Sequence, residues 1–111
     1  MSRDNAIVLD ILKSVKLAKE FVGDQDKASF FRDIKTQSAV LHQLLLADEA
    51  VKRLSEGLRN AHPDIPWKSV AGMRDVLIHK YDDVDIEEVW KTVRNEVPKL
   101  ISQLEPLVPR Q

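Results

Sequence analysis

A chain of 111 residues with 43% hydrophobic side chains supports one compact domain and leaves no room for two substantial cores. The absence of cysteine excludes a disulfide scaffold, a thiolate zinc site and a cysteine nucleophile, and fits a reducing, cytoplasmic setting. Seventeen basic against eighteen acidic side chains give a net charge of −1, so bulk charge cannot hold nucleic acid and any such contact must be local.

The apolar start Ile7-Val8-Leu9 is broken by Asp10 and followed by Lys13 and Lys16, so no signal-peptide core is expected. The longest uncharged stretch, residues 36–47, is far below a membrane span, and a soluble protein without membrane association is expected. Few glycines and a 3.6-residue apolar rhythm predict an all-α chain. Ile7, Ile11, Val15, Ala18 and Val22 form a first stripe that Gly23 stops. A second, longer helix is expected over about 27–59, with Phe30, Ile34, Leu41, Leu44, Val51, Leu54 and Leu58 as its apolar face; Asp48 lies almost on that face. The prolines of residues 61–66 make a connector, and Pro66 suits the first turn of a third helix reaching Ile78 or His79. Val70, Met73 and Leu77 are its buried side. Residues 81–84 are polar and read as a loop. Asp85 with Glu88 has capping-box spacing and opens a fourth helix along Val89, Val93, Val97, Leu100 and Leu104, which Pro98 should kink. The expected architecture is a four-helix up-and-down bundle over residues 1–111, with a short tail from about residue 106.

Bundles often carry metals, but the residues three before His42, His62 and His79 are Ala39, Arg59 and Val76, so the Glu-x-x-His pattern is missing. No His-Glu-x-x-His stretch or Gly-rich phosphate loop occurs, and no metal site is expected. Functional groups concentrate instead in Arg74-Asp75-Val76-Leu77-Ile78-His79-Lys80-Tyr81, an R-x4-H-x-Y pattern. At about 100° per residue, Arg74 and His79 lie roughly 140° apart around one helix. Either the helix unwinds near His79, or two chains each contribute half of a site. Asp75 stands four before His79, where its carboxylate can orient the imidazole.

Each residue also has an ordinary structural use. His79 could stabilise the last carbonyls of a helix, and Arg74 could form a surface ion pair. Tyr81 could close the bundle end, while Asp48 could be satisfied by a basic neighbour or by solvent. Trp67 and Trp90 read as core anchors rather than base-stacking platforms.

The stretches Ile65-Pro66-Trp67, Ala71-Gly72-Met73-Arg74-Asp75, Leu77-Ile78-His79-Lys80-Tyr81 and Val89-Trp90-Lys91-Thr92-Val93 resemble the HepT-like branch of the HEPN superfamily. Phe31-Arg32-Asp33, Thr36-Gln37-Ser38-Ala39-Val40 and Glu49-Ala50-Val51-Lys52-Arg53-Leu54-Ser55 extend the resemblance over nearly the whole chain. It implies a four-helix, homodimeric, metal-independent endoribonuclease toxin without a cofactor, encoded beside a minimal nucleotidyltransferase antitoxin. It places catalytic roles on Arg74 and His79, a supporting polar role on Asp75 and a regulatory role, as the residue adenylylated by the antitoxin, on Tyr81. Lys80 is the candidate for a further RNA phosphate contact. One departure is Asp48, where relatives often have Gly: either a close helix approach is relaxed, or an extra carboxylate sits near the bundle interior.

The implied chemistry is coherent. RNA carries its own nucleophile, the 2′-hydroxyl, so cleavage needs proton transfer and charge neutralisation. Histidine is the side chain suited to moving protons near neutral pH, and a guanidinium can fork onto phosphate oxygens. Two symmetry-related motifs could build a locally basic cleft in a near-neutral protein. The competing readings are a non-catalytic helical module that docks a nucleotidyltransferase, and a plain structural bundle.

Overall fold

Ser2 opens the first helix because its hydroxyl accepts the Asn5 N–H at 3.1 Å, meeting one of the unpaired donors of the first turn. In the computed structural model, which describes residues 2–81 and 83–109, that helix is α1 (Arg3–Val22). Asp82, in the expected loop, and residues 110–111, in the expected tail, lie outside the described residues. The whole predicted stripe of α1 is buried, and Gly23 ends it at a φ of 55°, a conformation that a side chain would strain.

The predicted second helix is instead three: α2 (Lys27–Arg32), α3 (Ile34–Val51) and α4 (Glu56–Ala61). The first break comes from Asp33, whose carboxylate accepts from the Thr36 N–H at 3.0 Å and its hydroxyl at 2.6 Å, with Gln25 at 2.9 Å on the same group. A side chain that caps the next helix competes with continuation of the last one. The break changes the register, so Ile34 is 75% exposed rather than buried. The hydrogen bonds hold the Asp33 carboxyl below the usual carboxylate range, the Thr36 hydroxyl contributing most. Ser55 caps α4 through Leu58 N–H, and Asp4 at the start of α1 grips Ser55 through both its N–H and its hydroxyl.

The predicted third helix is also divided, at Gly72, into α5 (Trp67–Ala71) and α6 (Met73–Leu77). It stops short of its expected end. Ile78–His79 is a strand, β1, paired antiparallel with β2 (Asp83–Val84), Ile78 opposite Val84 and His79 opposite Asp83. The expected loop is thus partly a small hairpin. Asp85 then caps α7 (Ile86–Lys91) by accepting the Glu88 N–H at 3.1 Å. Beyond α7 the helix widens into a π turn over Thr92–Glu96, in which Val97 N–H reaches Thr92 O, and continues as α8 (Val97–Leu104). Pro98 sits in the first turn of α8, where its missing N–H is tolerated, so the irregularity falls just before it. A 3₁₀ turn, Glu105–Leu107, occupies the start of the expected tail.

The described residues are mostly helical (77%), which places the fold in the all-α class despite the hairpin. Its radius of gyration, 14.0 Å, is near the ~13 Å expected for a compact body of this length. α1 is central, packing on α3 and α8. Phe30 fills the space beneath Trp90, ring centroids 5.3 Å apart, and Arg94 covers the outer face of that indole at 5.2 Å. Trp67 is buried and donates its indole N–H to His62 O at 3.0 Å, so both tryptophans serve packing. Among the described residues, no helix is long and apolar enough to cross a membrane.

Candidate functional site

α6 is one and a half turns long, and its pattern divides sharply: Met73 and Leu77 enter the core while Arg74, Asp75 and Val76 face outward. The helix ends because Ile78 turns extended, at φ −124° and ψ 120°, while its N–H still donates to Arg74 O. His79 is therefore off the helix but tied to Arg74 through its neighbour. Lys80 and Tyr81 take left-handed conformations, φ 43° and 57°, each costing a residue with a Cβ on the order of 1 kcal/mol. The two successive strained residues close the Arg74–Tyr81 stretch, and such conformations persist only where the surrounding structure holds them. Asp83 N–H to Lys80 O at 3.1 Å and Asp85 N–H to Leu77 O at 2.8 Å close the hairpin.

That closure carries Asp85 to the imidazole. His79 Nε2 lies 3.5 Å from Asp85 Oδ2, with the His79 side chain 55% exposed. The other oxygen of the same carboxylate holds the Glu88 N–H, so the α7 cap also anchors the group facing His79. The expected partner was Asp75, by i, i+4 spacing. That spacing presupposes a helix through residue 79; with the helix ended at Leu77, the carboxylate at His79 is Asp85. Its one sequence signal was the spacing to Glu88, which marks it as a cap and says nothing of the imidazole. The helix ends before His79, as in the first of the two expected routes, so the angular offset of a continuous helix does not apply to this pair.

Arg74, Asp75, His79 and Lys80 are exposed, and the Tyr81 ring is 97% exposed at the apex of the turn. The edge thus presents an imidazole, two fixed cations, a carboxylate and an accessible phenol within eight consecutive residues. Behind it lies Asp48, only 1% exposed on α3: Oδ2 accepts the Arg74 backbone N–H at 2.8 Å, and Oδ1 stands 2.9 Å from Lys52 Nζ. Of the two expectations for Asp48, the interior carboxylate is the one realised. The Asp48 carboxylate beside it is the main reason the Lys52 ammonium titrates above the usual lysine range. His42 is exposed on α3 and His62 lies in the connector, so neither joins the motif's edge. Among the described residues, no group of three or more His, Cys, Asp or Glu is arranged to hold a metal ion.

The family model described as ribonuclease HepT-like matches residues 11–107. The provisionally named RNase MJ0127 of Methanocaldococcus jannaschii is 40% identical over 103 residues, 93% of this chain and 85% of that protein. "Probable ribonuclease HepT" of Thermococcus cleftensis is 40% identical over 98 residues, 88% of this chain and 89% of that protein. A Caldanaerobacter subterraneus protein, also provisionally named an RNase, is 34% identical over 101 residues, 91% and 90% of the two chains. No solved structure matches. A match over most of the length, including the Arg74–Tyr81 edge, settles the relationship: the chain belongs to the ribonuclease HepT-like family of the HEPN superfamily.

Proposed function

We propose that the protein is a metal-independent endoribonuclease acting as the toxin of a type II-like toxin–antitoxin pair in the cytoplasm. In this reading its helical stretches form a four-helix bundle, two copies dimerise, and RNA is cut in a cleft where their R-x4-H-x-Y motifs meet. The observation that carries the reading is the release of His79 from α6, with Arg74 O still holding the preceding residue. The relatives' names, which describe ribonucleases, support the same substrate class. The openness of the motif's edge supports a cleft completed by a second copy, since one exposed surface gives RNA no opposing wall.

The chemistry follows from the side chains. The 2′-oxygen attacks phosphorus, the P–O5′ bond breaks, and the products are a 2′,3′-cyclic phosphate and a 5′-hydroxyl. His79 takes the 2′-hydroxyl proton or delivers one to O5′, the partner copy's motif serving the other transfer. Asp85 holds the imidazole's orientation, as carboxylates do in acid–base pairs. The Arg74 guanidinium forks onto the phosphate oxygens and favours the more highly charged transition state. Lys80 adds a second cation, and Asp75 has the supporting polar role that the family resemblance implies. No cofactor or metal is needed, because the nucleophile comes with the substrate.

Tyr81 is the control point in this proposal. A cognate nucleotidyltransferase would bring ATP to the exposed phenol; the phenolic oxygen attacks the α-phosphorus, pyrophosphate leaves and the phenol proton passes to solvent. The attached phosphodiester puts negative charge and bulk beside Arg74, where the RNA phosphate must come. Product analysis tests the nuclease reading. A defined single-stranded RNA incubated in EDTA should yield cyclic phosphate and 5′-hydroxyl ends. Ends carrying 5′-phosphate and 3′-hydroxyl, the signature of attack by water or hydroxide, would overturn it.

A further inference from the structure

Asp48 reaches the motif from behind. It is the one charged side chain that is fully buried among the described residues, and a carboxylate in such a place persists only when its oxygens are met. Here the two differ in kind: Oδ2 accepts the Arg74 backbone N–H, while Oδ1 makes no hydrogen bond and has the charge of Lys52, the half-exposed cap just past the end of α3, at 2.9 Å. Gly72, at the start of α6, has no side chain to cap that helix. The orphan donor of its first turn is therefore satisfied by a neighbouring helix. Arg74 is then held at both ends, its N–H by Asp48 and its C=O by Ile78 N–H, and the next residue is His79.

We infer that Asp48 is a positioning residue for Arg74: its buried carboxylate fixes the backbone from which the guanidinium reaches phosphate, and keeps Arg74 in register with His79. The kinetic consequence rests on the ribonuclease reading above. A long side chain magnifies any tilt at its own Cα, and a misplacement of about 1 Å in a reacting geometry costs on the order of a hundredfold in rate. Asp48 touches neither substrate nor reacting atoms. Its effect should appear in turnover and leave the protein's helical content unchanged.

Two substitutions separate the roles of shape, charge and acceptor. Asp48→Leu fills the same interior space with no acceptor, and it frees Lys52 to solvent. Asp48→Asn keeps one carbonyl oxygen for Arg74 N–H without the charge. On a single-stranded RNA, with both variants folded by circular dichroism, Asp48→Leu should lose about tenfold or more in kcat with KM within about threefold. Asp48→Asn should recover kcat to within about threefold of the parent. Amide hydrogen exchange gives a readout independent of cleavage: Arg74 N–H should lose protection in Asp48→Leu and keep it in Asp48→Asn. Unchanged kcat and unchanged Arg74 protection in Asp48→Leu would overturn the proposal, as would an Asn variant as impaired as Leu. Should Asp48→Leu not fold, the Asn variant decides alone: retained Arg74 protection supports the assignment and lost protection refutes it. If the parent protein cleaves no RNA, the ribonuclease reading fails while the exchange measurement still judges Asp48.

Discussion

Asp85 carries two tasks on one carboxylate, capping α7 with one oxygen and facing His79 with the other. They can be separated, because serine caps a helix about as well as aspartate but brings no carboxylate to the imidazole. Asp85→Ser is therefore expected to keep the thermal midpoint close to that of the parent while kcat for RNA falls about tenfold, by loss of imidazole orientation. Equal kcat in the two proteins would remove Asp85 from the mechanism. Arg74→Lys should also be impaired despite its retained charge, since an ammonium cannot reproduce the planar fork. Tyr81→Phe removes an exposed hydroxyl and nothing packed. It should retain most cleavage yet gain no nucleotide adduct from partner and ATP by intact-mass analysis; an adduct on Tyr81→Phe would place the modification elsewhere. Arg74, His79 and Tyr81 were legible because three chemically capable side chains stand close in a short motif. Asp85's contact was not, because it depends on a hairpin closed by two left-handed residues, Lys80 and Tyr81, neither of them a glycine or asparagine that would announce such a turn.

Helical periodicity explains which elements could be read in advance. Every member of the Ile7–Val22 stripe is buried, as are Val89, Val93, Val97, Leu100 and Leu104, because a repeated apolar face is a summed signal that survives a local π turn. Helix breaks depend on single side chains. Asp33 divides the second stretch by capping α3, and Gly72 divides the third, each a local event that the apolar rhythm runs straight across. Phe30 joins α2 to α7 through Trp90, and Phe30→Ala should cost about 3–5 kcal/mol in denaturant unfolding, the range for an emptied aromatic site. The hydrogen-bonded carboxylates predict the response to acid. Hydrogen bonds hold Asp4, Asp33 and Asp26, the cap of α2 that accepts the Ser29 N–H at 2.8 Å, below their unfolded values, so their contribution is fully present above about pH 4 and fades as pH falls through the lower folded values. The thermal midpoint should drop below that pH, and the drop should be shallower in Asp33→Asn; identical acid profiles would remove Asp33 from the account.

A near-neutral chain can act on RNA only where cations are gathered locally, and α6 with the hairpin carries Arg74 and Lys80 together with His79 on one open edge, with Asp75 and Asp83 beside them. A dimer that set two such edges face to face would double the cations and give RNA opposing walls. Mixing inactive Arg74→Ala and His79→Ala chains should then restore part of the activity, and a fully active monomer in dilute solution would contradict the shared cleft. Whatever the assembly, the proposed mechanism requires that His79, held by Asp85 beside Arg74, moves the proton in RNA cleavage. The direct measurement is the cleavage rate of a single-stranded RNA in EDTA by the parent protein and by folded His79→Ala. Cleavage by the parent and a loss of about a hundredfold or more in the variant are expected; undiminished cleavage by His79→Ala would contradict the proton-transfer role.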